Sequence, residues 1–215
     1  MKLTIVYDNE IYKKNVGLKS DWGFSCLVET KSEKVLFDTG GKCKILISNM
    51  KKLGIDIVNI SKIVISHEHW DHNGSLDELA KFVNKVDLYR IKKKNPENNM
   101  RLIPASNPNK ITENIFTTGI IKGTVDEQSL ILKGQKGWYV LVGCSHPGVG
   151  KILFNAREYG RIVGLIGGFH DFRDFQTIEN LDFICPCHCT KYKMNLKKLF
   201  PKKYIDGGVG KIINI

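Results

Sequence analysis

The sequence predicts a mixed α/β fold on three observations. The first third of the chain alternates short apolar, β-branched runs with a longer amphipathic one. Later apolar runs, at 138–142, 162–166 and 183–184, each lead into a turn rich in Gly, Cys or His, as buried strands that end in loops do. The 215 residues, 42% of them apolar, suffice to bury a substantial core as one globular domain spanning 1–215.

The elements follow in order. Residues 1–8 read as a first strand, too short and too soon interrupted by Asp8 for a secretory signal. Strands at 24–30 and 34–37 form a hairpin around the polar tip 31–33, and the second ends in Asp38-Thr39-Gly40-Gly41. A helix follows with Leu46, Met50 and Leu53 on one side, stopped by Gly54 at the C′ position. Residues 60–65 read as a buried strand. Ser75-Leu76-Asp77-Glu78 has capping-box spacing and would open a helix through Leu79, Phe82 and Val83. Residues 84–118, with Pro96, Pro104 and Pro108, read as a solvated, loop-rich connection. Within it Lys92, Lys93 and Lys94 either hold a substrate phosphate or, as is commoner for a lysine run, form solvated surface. A strand, a Gly-containing turn at 134–137 and a second strand then span 130–142.

The densest stretch is Ser66-His67-Glu68-His69-Trp70-Asp71-His72-Asn73-Gly74-Ser75. Three of the chain's six histidines fall within six positions here, between a strand end and a helix start. In an extended segment His67, His69 and Asp71 lean to one side, and His72 turns in as the helix begins. Neutral imidazoles and a carboxylate converging on one point suit a divalent transition metal. The remaining histidines, His146, His170 and His188, each follow directly on a short apolar strand. A single histidine so placed is more often structural, but three in three make a site shared with the first cluster the expectation. Asp38 also stands at a strand end. It either accepts a hydrogen bond from a ligating histidine, approaches the metal itself, or serves as a turn-former or helix cap.

Cys185, Cys187 and Cys189 alternate, which puts all three on one side of an extended strand with Pro186 and His188 opposite. Metal and redox sites more often separate cysteines by two residues, so reduced thiols beside a ligand histidine are expected. Cys26 and Cys43 read as core. The formal charge of +11, from 33 Lys and Arg against 22 acids, favours anionic partners or reflects a lysine-rich composition. No apolar run approaches the ~20 residues of a membrane span. A soluble, cytoplasmic protein with no membrane partner is expected.

Strand, Ser-His-x-His-x-Asp-His-x-Gly and later lone histidines at strand ends resemble the metallo-β-lactamase superfamily over nearly the whole chain. More narrowly, Gly23-Phe24-Ser25, Leu36-Phe37-Asp38-Thr39-Gly40, Gly143-Cys144-Ser145-His146, Gly167-Gly168-Phe169-His170 and His188-Cys189-Thr190 resemble one subgroup. Its members are small stand-alone hydrolase-like proteins, and they include an archaeal enzyme that joins a dihydropterin to an aminobenzene ribofuranosyl phosphate.

The resemblance implies an αββα sandwich with a metal site along one edge. It implies His67, His69 and His146 on one metal, and Asp71, His72 and His188 on a second. The bridging aspartate usual in the superfamily is not evident. Cys144, His146 or His170 stands in its place, Asp126 is a further candidate, and His170 alternatively contacts substrate. One or two divalent ions are implied, zinc first, with manganese or iron as alternatives. Such an ion lowers the pKa of bound water from 15.7 to roughly 7, and Asp71 orients that water and receives a proton. The leading expectation is a metal-dependent hydrolase of a phosphorylated or otherwise anionic small molecule. A transferase joining a dihydropterin diphosphate to an aromatic amine is the alternative. A nuclease or nucleic-acid phosphodiesterase is a second, disfavoured because the chain offers no added recognition domain.

Overall fold

A computed structural model of the chain describes residues 1–92 and 99–215. Lys93, Lys94 and Pro96 lie outside the described residues. The chain divides into two compact units, residues 1–105 with 207–215, and residues 106–206.

The first unit is built on a seven-stranded sheet. β1 (Lys2–Tyr7) pairs antiparallel with β2 (Ser25–Glu29), and β2 with β3 (Lys34–Phe37). The helix α1 (Cys43–Lys52) crosses over to β4 (Lys62–Val64), which runs parallel to β3. Two single-turn helices follow, α2 (Trp70–Asn73) and α3 (Leu76–Leu79). β5 (Val86–Arg90) and β6 (Met100–Pro104) then extend the sheet in parallel. Helix α1 buries Leu46 and Met50 against Leu27, Leu36, Ile63 and Leu88, and Gly54 ends it with φ +69°, a conformation glycine adopts without strain.

The second unit carries a six-stranded sheet. β7 (Asn109–Thr112), β8 (Ile115–Thr117), β9 (Leu130–Lys133) and β10 (Trp138–Val142) form an antiparallel meander. After α4 (Val149–Ala156), β11 (Ile162–Gly168) and β12 (Phe183–Cys187) add parallel to β10. α5 (Lys193–Leu199) follows, and its Leu196 joins a core with Val140, Ile152, Leu165 and Ile184. The last strand, β13 (Ile212–Asn214), returns to pair antiparallel with β1 in the first sheet.

Parallel pairing decides where the chemistry-bearing residues fall. In the first unit Phe37, Val64 and Tyr89 stand level across β3, β4 and β5. The residues at or just past each strand end, Asp38, Ser66 with His67, and Arg90, therefore emerge at one sheet edge. In the second unit Val142 stands level with Gly167, and Gly168 with Cys187. The loops bearing His146, His170 and His188 likewise leave from one edge.

Two local expectations are corrected. Among the described residues of 84–118, four strands, β5 to β8, stand where a loop-rich connection was expected. Two of the prolines that suggested loops sit where sheets tolerate them: Pro104 ends the edge strand β6, and Pro108 precedes the edge strand β7. The capping box at Ser75 does not form either. Ser75 has helical backbone angles, and its hydroxyl donates to the Gly40 carbonyl at 3.3 Å rather than accepting from α3. The α-helix stops at Leu79, so only one turn of the expected helix exists. Among the described residues no helix is long and apolar enough to cross a membrane.

The tip of the β2–β3 hairpin is tied to β4. The Glu33 carboxylate accepts from the Lys62 ammonium at 2.7 Å and the Ser61 hydroxyl at 2.6 Å. These bonds, Lys62 first, hold the Glu33 carboxyl below its ordinary value of 4.5. A depressed folded-state pKa adds stability above the ordinary value, and that stability disappears as pH falls through the depressed one. Glu33→Gln is expected to flatten the acid limb of the stability curve below about pH 4.5 and leave its neutral-to-alkaline slope unchanged, as measured by urea unfolding across pH.

Candidate functional site

Asp38 is fully buried, and its backbone adopts φ +56°, a left-handed conformation that Asp tolerates better than most residues. That turn aims its carboxylate under the loop after β4. Oδ1 accepts from the Ser66 amide at 2.7 Å, while Oδ2 accepts from the Ser66 hydroxyl at 2.8 Å and from His72 Nδ1 at 2.7 Å. Of the roles open to Asp38, the structure therefore shows hydrogen bonding to a histidine.

These bonds fix two tautomers. Because His72 Nδ1 gives its hydrogen to Asp38, the lone pair of the neutral ring lies on Nε2, 3.8 Å from Asp71 Oδ2. The single hydroxyl hydrogen of Ser66 points to Asp38, so Ser66 Oγ accepts from His67 Nδ1 at 2.9 Å. The His67 lone pair is then on Nε2, which lies 3.1 Å from His69 Nδ1. Two nitrogens bound to one tetrahedral metal at about 2.0–2.1 Å stand about 3.3 Å apart, so this spacing suits a shared cation. Imidazoles oriented by a carboxylate, with a second carboxylate beside them, are the donor set zinc and its neighbours take. The His67 and His72 rings lie 4.2 Å apart, centre to centre, so His67, His69, Asp71 and His72 are brought together with donor atoms of the kind a divalent metal takes.

The backbone packs tightly around this cluster. The Asp71 carbonyl accepts from the Phe24 amide at 3.2 Å, and the His72 carbonyl accepts from the Thr39 amide at 2.7 Å and its hydroxyl at 3.0 Å. A Cβ on Gly23 would come within 2.5 Å of the Asp71 carbonyl oxygen, so any other residue there would push the motif outward.

The second unit presents its own candidates at the ends of β10, β11 and β12. The His146 and His170 rings lie 5.1 Å apart. His188 is buried, whereas the His170 side chain is half exposed, with Nδ1 3.6 Å from Asp171 Oδ1. Ser145, His170 and His188 all adopt positive φ, between 46° and 63°, so each strand ends in a sharp left-handed turn. Asp126 lies at the surface, paired with Lys122 at 2.6 Å.

Sequence reasoning missed the neighbour of Asp126. Glu127 is fully buried and accepts four consecutive backbone amides: Gly143, Cys144 and Ser145 on Oε1 at 3.0, 3.1 and 3.0 Å, and His146 on Oε2 at 2.9 Å. Successive amides around a left-handed residue form a concave anion site, and here the anion is the protein's own carboxylate. Glu127 therefore holds the loop that carries Cys144 and His146. An acid just ahead of a strand carries no sequence signal for such a role.

The three late cysteines do not share one face. Cys185 and Cys187 are buried side by side, Sγ to Sγ 3.9 Å, but the strand ends at Cys187 and His188 turns left-handed. Cys189 is thereby diverted toward the Cys144 carbonyl, 3.9 Å from its Sγ. Cys26 and Cys43 are buried as expected, and burial, with Glu78 adding to it, pushes the Cys43 thiol up to about 11.

Glu127→Ala is expected to leave four amides, three of them in buried hydrogen bonds, without their acceptor and to cost about 2–4 kcal/mol in urea unfolding. Amide hydrogen exchange at residues 143–146 should accelerate more than elsewhere in the sheet, and unchanged protection there would refute the anchoring role.

Known proteins resemble this chain in sequence and in fold. The family model described as the metallo-beta-lactamase superfamily matches residues 23–156. The chain is 28% identical to an uncharacterized protein of Methanocaldococcus jannaschii, over 99% of this chain and 100% of that one. It is 25% identical to the 7,8-dihydropterin-6-methyl-4-(beta-D-ribofuranosyl)-aminobenzene-5'-phosphate synthase of the same organism, over 81% of this chain and 82% of the relative. Among solved structures, a metal-dependent hydrolase of the beta-lactamase superfamily matches with a TM-score of 0.80 at 24% identity, covering 100% of this chain and 99% of that one. That likeness shows the fold, and the family match spans more than half of the residues. The chain belongs to the metallo-β-lactamase superfamily.

Proposed function

We propose that the protein is a hydrolase that uses a metal-activated water on a phosphorylated or otherwise anionic small molecule, with its two units working as a single domain. The observation that carries this reading is the pair of tautomers fixed through Asp38 and Ser66, which turn His72 Nε2 and His67 Nε2 toward Asp71 and His69. A metal-ligating histidine characteristically donates its other ring nitrogen to a carboxylate or similar acceptor in this way.

The proposed ligand sets are His67, His69 and His146 for one ion, and Asp71, His72 and His188 for a second. Zinc is the first choice, with manganese or iron as alternatives. Bound there, the ion would supply Lewis acidity and make water acidic near neutral pH. The chain's own residues would do the rest. Asp71 would orient the attacking water and take its proton, Asp38 would keep the His72 ring in register, and the half-exposed His170 would contact the substrate. Lysine excess would draw in an anion. The cytoplasm as compartment belongs to the same proposal.

A transferase reading is favoured by one finding, the synthase relative that aligns with 81% of the chain. Both readings use the same residues and differ in the nucleophile, water or an aromatic amine. Product analysis separates them.

Metal analysis of the purified protein is expected to find one or two divalent ions per chain. A His67→Ala/His69→Ala variant should lose metal together with any activity in a screen of phosphodiesters, lactones, thioesters and dihydropterin diphosphates. Undiminished metal content in the folded variant would overturn the ligand assignment.

A further inference from the structure

Glu68 lies between two proposed ligands, His67 and His69, and has no place in the chemistry above. Its carboxylate is nevertheless the most heavily bonded group of that loop. Arg90, the last residue of β5, grips it in a fork, with Nη2 to Oε2 at 2.6 Å and Nε to Oε1 and Oε2 at 2.9 and 3.2 Å. The Lys92 amide donates to Oε1 at 3.2 Å, and Asn73 Nδ2 donates to Oε2 at 3.1 Å. The Arg90 side chain is only 8% exposed and that of Glu68 21%, so the pair is largely withdrawn from water. One carboxylate thus ties the loop after β4 to the end of β5 and to the last residue of α2.

We infer that Arg90 is a positioning residue for the metal-ligand loop: through Glu68 it fixes the backbone from which His67 and His69 project, and so sets how tightly that loop binds a divalent cation. The inference rests on the proposed metal reading. Its physical basis is leverage. The two ligand side chains leave the chain on either side of Glu68, so rotation of the backbone at Glu68 moves His67 Nε2 and His69 Nδ1 apart from their 3.1 Å spacing. A guanidinium fork opposes that rotation because it is planar and engages both carboxylate oxygens. A lysine at the same place supplies charge without that directional constraint.

Loss of a buried ion-pair partner destabilises a fold whatever the pair is for, whereas removal of both charges can be nearly neutral. The double variant Arg90→Met/Glu68→Gln therefore separates positioning from stability, and Arg90→Lys provides a second variant that keeps the charge. Zinc affinity of the stripped protein would be measured by competition with a chromophoric chelator. Cobalt(II) absorption would report ligand geometry, and unfolding of the metal-free protein would report stability. The expected result is metal-free stability near wild type in the double variant, with zinc affinity weaker by about 10–100-fold and an altered cobalt spectrum. Arg90→Lys should recover only part of that affinity. Wild-type affinity and spectrum in both variants would overturn the positioning role while leaving the metal reading intact. A wild-type protein that binds no zinc would overturn the metal reading and this inference with it.

Discussion

The carboxylate of Asp38 is the constraint on which the first unit's cluster depends. A buried charge in a left-handed turn is costly twice over, about 1–3 kcal/mol for the backbone and several more for leaving water. Three hydrogen bonds to that charge, each worth about 1.5–3 kcal/mol, offset most of the penalty. The residual demand falls on the sheet: the Asp38 amide donates to the Val64 carbonyl at 2.8 Å, so β3 and β4 hold the turn in place. In return two imidazoles lose their rotational freedom and their choice of tautomer. Imidazoles held in this way need little reorganisation to present a lone pair.

The second unit uses the same device on a different scale. Asp38 accepts from one amide and two side-chain donors, while Glu127 accepts from four amides. In both cases a buried acid, remote in sequence, organises the loop that follows a strand with a parallel neighbour. Strand pairing delivers each loop to a common edge, and left-handed residues at Asp38, Ser145, His170 and His188 turn the chain sharply there. The sheet supplies rigidity, the turns supply direction, and the buried acids hold the turns.

Much of this was legible in the residues themselves. The hairpin at β2 and β3, helix α1 with its terminal glycine, and the histidine motif after β4 all follow from local periodicity and turn chemistry. The role of Asp38 was visible as one of several options, because an acid at a strand end next to a histidine cluster has few uses. Other features depended on partners distant in sequence. Nothing near Glu127 announces that residues 143–146 will aim their amides at it. Ser75 has the spacing of a cap, but the Gly40 carbonyl competes for its hydroxyl and wins. The strands between residues 86 and 117 are short, and several lie at or near sheet edges, so polar residues and prolines masked them. The cysteine alternation held for Cys185 and Cys187 and failed at Cys189, where a single left-handed residue reversed the expected side.

The return of β13 to the first sheet bears on the order in which the molecule assembles. During synthesis β1 to β6 emerge first and the entire second unit follows. Only then does the strand appear that covers the open flank of β1. Until residues 212–214 leave the ribosome, β1 exposes a row of unpaired amides and carbonyls, the kind of flank that recruits foreign strands. Its pairing partner lies more than two hundred positions downstream, so closure must wait for a long loop to be ordered. The first unit to be translated is therefore the last to be completed.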